Sequence, residues 1–255
     1  MSYSVLQPHP LDGVQREGQP RGIYSAEGSY ARYCVIPGSH VPDLGKFKEK
    51  NVGLIMFADE TGFTHDNKML ADGFASAGYL TIMMSSALAT PTNPLKTFDQ
   101  NIDKAFNQFR SYRPQPVGSP KFRIVLAGYG RGIKMVLRLL ARPDVPAYRF
   151  VAGYVASPLA VPAVTLSDYS AVTKPLTLAI AGFTDRGSTA GAMEREAIRE
   201  ALEQAYCAYQ INLYSHVSDG FAWRRDLDSE PGKYAKKTTF VQALQWFKFH
   251  LFESS

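Results

Sequence analysis

Cysteine is scarce in this chain of 255 residues, which contains only Cys34 and Cys207. Two cysteines cannot build a disulfide framework, so we interpret both as small buried hydrophobic residues of a cytoplasmic protein. Long apolar runs are also missing, and without a stretch of roughly 18 apolar residues we expect no membrane-spanning helix. Residues 1–19 are polar and rich in proline and glycine, which predicts no signal peptide there.

Clustered positive charge is absent as well, although the formal net charge is +5 and the pI is about 9.1. Lysines and arginines are scattered, whereas a nucleic-acid-binding protein concentrates them on one face. We therefore expect no nucleic acid and no membrane as partner, and at most a mild attraction of small anions. The five histidines are far apart and lack metal-ligand spacing, which predicts no metal and no cofactor.

What the chain does contain is a series of apolar strands that alternate with amphipathic helices. The predicted strands cover residues 30–36, at a sheet edge, and 52–57, 79–84, 124–128, 150–156, 176–181 and 209–214. The predicted helices cover residues 65–77, 98–109, 133–140, 193–206 and 240–251. This alternation predicts an α/β fold with a mostly parallel central sheet covered by helices on both faces. We predict a single domain over residues 21–255 behind a flexible arm of residues 1–20.

The most informative motif is Gly128-Tyr129-Gly130-Arg131-Gly132, between a predicted strand and a predicted helix. In this context the pattern G-x-S-x-G places a nucleophile on a sharp turn above an α/β sheet. Here the central residue is Gly130, which has no side chain that could attack a substrate. The motif lacks the G-K-[ST] ending of a phosphate-binding loop, so the elbow is the better interpretation.

Three segments share a wider pattern: residues 54–72 (LIMFADETGFTHDNKMLAD), the elbow at 128–134, and 213–227 (LYSHVSDGFAWRRDL) with the helix that follows. Together they resemble the dienelactone hydrolase family, especially its fungal-type members, over about residues 18–252. The resemblance implies an α/β-hydrolase fold with a Cys nucleophile, an Asp and a His. The corresponding positions hold Gly130, Asp185 and Asp219, the last in the string D-G-F where the family has H-G-F. The family mechanism therefore lacks its nucleophile and its base here.

Several polar groups of the family site remain. The backbone N–H of Arg131 would begin an oxyanion-type hole at a helix N-terminus, and the loop with Asp59 and Glu60 would complete it. The alternative for these two carboxylates is solvation or an ion pair. If Asp185 and Asp219 face each other, close like charges favour a proton on one of them. The alternative is that a nearby arginine neutralises one of the pair.

Loss of a side chain at Gly130 would also enlarge the pocket, which favours ligand binding. The candidate wall residues are aromatic, and each could equally be ordinary core: Phe63, Tyr129, Phe183, Phe221 and Trp223. Three residues near the elbow are candidates for a replacement nucleophile or base, with His216 also a candidate for substrate contact: Tyr129, Ser157 and His216.

These observations leave three functions open. The first is an enzyme that binds a small organic intermediate and promotes cyclisation or isomerisation, either pericyclic (a Diels–Alder step) or acid–base, in specialised-metabolite biosynthesis. The second is an ester or lactone hydrolase with a nonstandard nucleophile or an activated water. The third is a catalytically inactive protein that binds small molecules. A homodimer is compatible with each of them.

Overall fold

The computed structural model describes residues 18–27, 30–37, 51–58, 61–85, 94–113, 121–145, 148–158, 164–182, 188–223 and 229–252. The strands are β1 (Ile23–Glu27), β2 (Tyr30–Val35), β3 (Val52–Phe57), β4 (Leu80–Met84), β5 (Phe122–Tyr129), β6 (Tyr148–Ala156), β7 (Leu176–Ala181) and β8 (Tyr209–Tyr214). The helices are α1 (His65–Ser76), α2 (Pro94–Tyr112), α3 (Gly132–Leu140), α4 (Leu166–Ser170), α5 (Ser188–Gln204) and α6 (Glu230–Phe252). The predicted N-terminal arm lies almost wholly outside the described residues.

One sheet of eight strands organises the described residues, in the order β1-β2-β4-β3-β5-β6-β7-β8. The first two strands run antiparallel to their neighbours, and all other pairs are parallel. The predicted mostly parallel sheet is therefore confirmed. The predicted edge position of β2 is wrong, because β1 pairs along its outer side and forms the edge instead.

Helices cover both faces of this sheet, as predicted, and enclose two hydrophobic clusters. On one face α2, α3 and α5 pack over side chains such as Ile124 and Leu126 of β5. On the other face α1 and α6 pack over Val125 and Ala127 of the same strand. Successive residues of a strand point to opposite faces, so each central strand contributes to both clusters.

Helix α1 begins at the predicted residue, His65, and ends at Ser76, one residue before the predicted end. The Thr64 hydroxyl accepts a hydrogen bond from the backbone N–H of Asn67, which satisfies one of the orphan donors of the first turn. Gly78 follows the helix with φ 101, a left-handed conformation that glycine adopts without a Cβ penalty. No helix within the described ranges has the length and apolarity that a membrane crossing needs.

The residues just before strand β1 are held by hydrogen bonds to a network around Asp72, a buried carboxylate on α1. Asp72 accepts hydrogen bonds from the Tyr33 hydroxyl at 2.7 Å and from the Arg21 backbone N–H at 2.8 Å. The Tyr33 hydroxyl in turn accepts from the Gly22 backbone N–H at 2.6 Å. Since a hydrogen bond to a charged group typically contributes about 1.5–3 kcal/mol, these contacts stabilise the start of a strand that buries little apolar surface.

Candidate active site

The elbow predicted from the sequence is present at the end of β5. Gly130 is buried and has φ 51, and its carbonyl accepts a hydrogen bond from the N–H of Ile133 at 3.1 Å as α3 begins. This left-handed backbone is the conformation in which the elbow pattern holds its central residue. The backbone of the turn is therefore complete, and its central residue carries no side chain.

The third glycine of the motif has a packing role that does not depend on a nucleophile. A Cβ on Gly132 would lie 2.5 Å from the carbonyl oxygen of Phe57 at the end of β3. Only glycine lets the first turn of α3 approach the neighbouring strand this closely. The preceding Arg131 is exposed and lies at the N-cap of α3, so its backbone N–H lies at the helix N-terminus as predicted.

Ser157 lies beside Gly130 at the carboxyl end of the next strand. Strands β5 and β6 are parallel and pair Tyr129 with Ala156, so Gly130 and Ser157 are the first residues after the two strands. Ser157 is fully buried and has φ 57, an unusual conformation for a residue with a side chain that costs of order 1–3 kcal/mol. Its hydroxyl oxygen accepts a hydrogen bond from the backbone N–H of Gly220 at 3.1 Å.

Residues 217–223, which we call the site loop, follow β8 and carry the predicted base position. Asp219 is partly buried there, next to Gly220 with φ 85. The loop folds as consecutive turns, in which the N–H of Phe221 bonds the carbonyl of Ser218 and the N–H of Trp223 bonds that of Gly220. His216, just before the site loop, is exposed and has φ 58.

The aromatic residues of the site loop pack towards the sheet. Phe221 is fully buried, with its ring centroid 5.2 Å from that of Tyr214. Trp223 is partly buried, and its ring meets Tyr129 edge-on with centroids 5.9 Å apart. Both residues join the hydrophobic cluster on the α1 and α6 face. Phe63 packs against the same cluster, and its ring lies 5.2 Å from that of Tyr24 on β1.

Tyr129 is the best-defined titratable group beside the elbow. Burial raises the pKa of its phenol well above the ordinary value of 10.0, and the proximity of Tyr154 raises it further. Tyr154 is itself fully buried and hydrogen-bonded to Thr239 at 2.8 Å. At neutral pH Tyr129 is therefore an uncharged phenol, so it offers a hydrogen bond or a packing surface and no phenolate nucleophile.

Sequence reasoning missed Lys236, a buried cation that contacts the site loop. Its ammonium group donates a hydrogen bond to the carbonyl oxygen of Trp223 at 3.2 Å, and the residue is 7% exposed. The spacing of residues in α6 could have predicted its burial. Lys236 lies four residues before Phe240 and therefore shares the core-facing side of the helix.

Four of the predicted site residues lie outside the described residues: Asp59, Glu60, Phe183 and Asp185. The paired carboxylates and the second donor of the oxyanion-type hole therefore stay predictions. Of the others, the structure brings Gly130, Tyr129 and Trp223 together around the elbow, and Ser157 connects the elbow to the loop of Asp219. Among the described residues, no group of three or more potential metal ligands occurs.

The parallel sheet with an elbow after its central strand defines an α/β-hydrolase fold, and solved structures agree. A dienelactone hydrolase from Anabaena variabilis superposes with a TM-score of 0.55 and 20% identity over 91% of this chain and 99% of that one. A putative dienelactone hydrolase from Klebsiella pneumoniae gives a TM-score of 0.61 and 14% identity over 89% and 97%. An acylaminoacyl peptidase from Pyrococcus horikoshii gives a TM-score of 0.60 and 15% identity over 92% of this chain, which spans 42% of that chain.

The family model for the dienelactone hydrolase family matches residues 44–251, so the chain belongs to this family. Hydrolase tropI of Talaromyces stipitatus is 29% identical over 94% of this chain and 95% of its own length. Hydrolase pyvD of Aspergillus violaceofuscus is 26% identical over 94% and 95%. Its relatives thus include fungal proteins named as hydrolases.

Proposed function

We propose that this protein binds a small organic intermediate at the carboxyl end of β5 and promotes its cyclisation or isomerisation without a covalent intermediate. The observation that carries the proposal is Gly130, where the elbow backbone is retained but no side chain is present. Covalent catalysis needs a nucleophile activated by an adjacent base. In the family pattern the base position here is Asp219, and a carboxylate with an ordinary pKa near 3.9 is a weak base towards a thiol or hydroxyl.

Cyclisation and isomerisation need a shaped site and hydrogen bonds to a carbonyl group, and both can come from the backbone. The N–H of Arg131 lies at the N-terminus of α3, where the helix dipole favours developing negative charge. Asp185 and Asp219 would serve an acid–base route, whereas a pericyclic step would use shape and positioning alone. The proposed setting is the biosynthesis of a specialised metabolite.

Hydrolysis of an ester or lactone is the second candidate, and the comparisons favour it over cyclisation because the related fungal proteins carry hydrolase names. One structural observation also supports it. Ser157 follows β6 next to Gly130 after β5, and its hydroxyl is in hydrogen-bond contact with the residue after Asp219. Against it, Ser157 is fully buried and accepts a hydrogen bond already.

Intact-mass spectrometry after incubation with 4-nitrophenyl acetate separates these candidates, with nitrophenol release followed in parallel. We expect no stoichiometric acyl adduct and no release above that of heat-denatured protein. An adduct with turnover would overturn the proposal, and its loss in Ser157→Ala would assign the nucleophile to Ser157.

Variants of the two carboxylates then separate the routes within the main proposal once a converted substrate is found. Asp219→Ala and Asp185→Ala should abolish an acid–base isomerisation, because the proton donor or acceptor is lost. A pericyclic reaction should lose little in either variant. Saturable binding without product in the parent protein would instead identify a binding protein.

A further inference from the structure

The site loop is held by two polar contacts from distant parts of the chain. Ser157 binds its middle, through the N–H of Gly220, and Lys236 binds its end, through the carbonyl of Trp223. The two anchors lie 63 and 13 residues away from the groups that they bind. They therefore connect the loop to β6 on one side and to α6 on the other.

The Ser157 contact joins two residues with left-handed backbones, since φ is 57 at Ser157 and 85 at Gly220. The strand end at Ser157 is further fixed by its N–H, which donates to the carbonyl of Ala179 on β7 at 2.8 Å. A residue in a sparsely populated conformation persists where the surroundings over-determine it, and such residues gather at functional sites. The fully buried hydroxyl supplies the acceptor that the Gly220 N–H needs.

The Lys236 contact uses a charged group at a buried position, where burial of an apolar side chain would be more favourable in free energy. Burying an ammonium group is unfavourable unless it is hydrogen-bonded or paired. At this helical position the neighbours Ala235, Thr239 and Phe240 are buried as well, so the lysine stem is enclosed while its end reaches the loop carbonyl. In some proteins a buried charged group of this kind is retained for conformational specificity rather than for stability.

We propose that Ser157 and Lys236 are positioning residues, which together fix the site loop and so hold Asp219 and Trp223 against the elbow at Gly130. The assignment rests on the proposed function in one respect, namely that the elbow region is the working site. The positioning itself requires no substrate, because it concerns the conformation of the loop. Trp223 reports this conformation directly through its edge-on contact with Tyr129.

Tryptophan fluorescence tests the proposal without any ligand. The chain has two tryptophans, so a Trp246→Phe background leaves Trp223 as the sole reporter. In that background we expect Ser157→Ala, Ser157→Gly and Lys236→Met each to red-shift the emission and raise acrylamide quenching at least twofold. Lys236→Arg keeps the charge and the donors and should restore the parent spectrum. Lys237→Met changes the exposed neighbour and should leave quenching unchanged.

The paired serine variants separate positioning from backbone strain. Both remove the hydroxyl, but glycine also relieves the left-handed φ. If Ser157→Gly quenches like the parent while Ser157→Ala does not, strain explains the effect and the positioning role of Ser157 is wrong. If Lys236→Met leaves quenching at the parent level in folded protein, the Lys236 anchor is wrong. Neither outcome bears on whether the protein cyclises or hydrolyses a substrate, which the ester and product assays decide.

Discussion

At the residue scale, Gly130 gives the elbow its backbone conformation but provides no side chain for a reaction. Its φ of 51 lies in the left-handed region, where a residue with a Cβ is strained by about 1–2 kcal/mol and glycine is not. The enzymes that use this turn accept that strain in order to present a nucleophile. In this protein glycine at position 130 removes that strain.

A thiol side chain at position 130 should cost about 1–2 kcal/mol of stability through this backbone strain, and it should change the chemistry. We expect Gly130→Cys to form a slowly hydrolysed acyl-enzyme with 4-nitrophenyl acetate, because a thiol is present but its base is not. Gly130→Cys combined with Asp219→His should turn the ester over faster by about 10²–10⁴-fold than the single variant, the usual contribution of a general base. Intact mass and nitrophenol release measure the two effects.

Gly130→Ala is the matched control for this pair, since it carries the same backbone strain and no thiol. It should unfold at the same urea concentration as Gly130→Cys and should form no adduct. Equal ester turnover in Gly130→Ala and in the double variant would contradict the assignment of residues 130 and 219 to the nucleophile and base positions.

At the element scale, the position of α3 depends on the third glycine of the elbow motif. A Cβ on Gly132 would meet the backbone of Phe57, which is fully buried and cannot move aside. A Cβ on Gly153 would meet Leu140 Cδ1 at the same 2.5 Å, but this is the end of a side chain that can rotate. We expect Gly132→Ala to destabilise the protein by about 1–3 kcal/mol, despite the helix propensity of alanine, which favours it by up to about 1 kcal/mol.

Gly153→Ala provides the comparison, because alanine favours a strand over glycine by about 0.5–1 kcal/mol and partly offsets the side-chain clash. Urea denaturation followed by circular dichroism should give a clearly lower midpoint for Gly132→Ala than for Gly153→Ala. Equal midpoints would mean that α3 can move away from β3, and that the close approach is not what selects glycine at position 132.

Local sequence patterns predicted the elements that bury their own apolar side chains. Helix α1 is an example, since its cap at Thr64 and its glycine stop are encoded within the segment. Strand β1 was missed because all its residues are exposed or half-buried, and it is held by its pairing with β2 and by the Asp72 contacts. Helix α4 was missed because it has only five residues, although Asp168 accepts from the N–H of Thr165 in the local pattern of a helix start.

At the scale of the whole molecule, only those parts of the candidate site that lie within one short segment could be predicted from the sequence. The elbow with Gly130 and the string with Asp219 are local, so the sequence alone predicts both as site positions. The Ser157 contact with the site loop depends on the strand order β5-β6-β7-β8, which brings residues 63 positions apart together. The contact of Lys236 depends in the same way on how α6 packs under the loop.

The shared sheet also predicts that the two helical layers unfold together. Leu137 on α3 is fully buried in one cluster, whereas Trp223 and Trp246 pack against the opposite cluster. Leu137→Ala should destabilise the protein by about 2–5 kcal/mol, since it leaves a cavity. Because the central strands contribute to both clusters, its urea transition should shift equally in far-ultraviolet circular dichroism and in tryptophan fluorescence, although no tryptophan lies on that face.

Met193→Ala, at a position that is 71% exposed, should move neither signal. A fluorescence transition that stays in place while the dichroism shifts would mean that the layer of α1 and α6 is stable without the other layer, and that the sheet does not couple them.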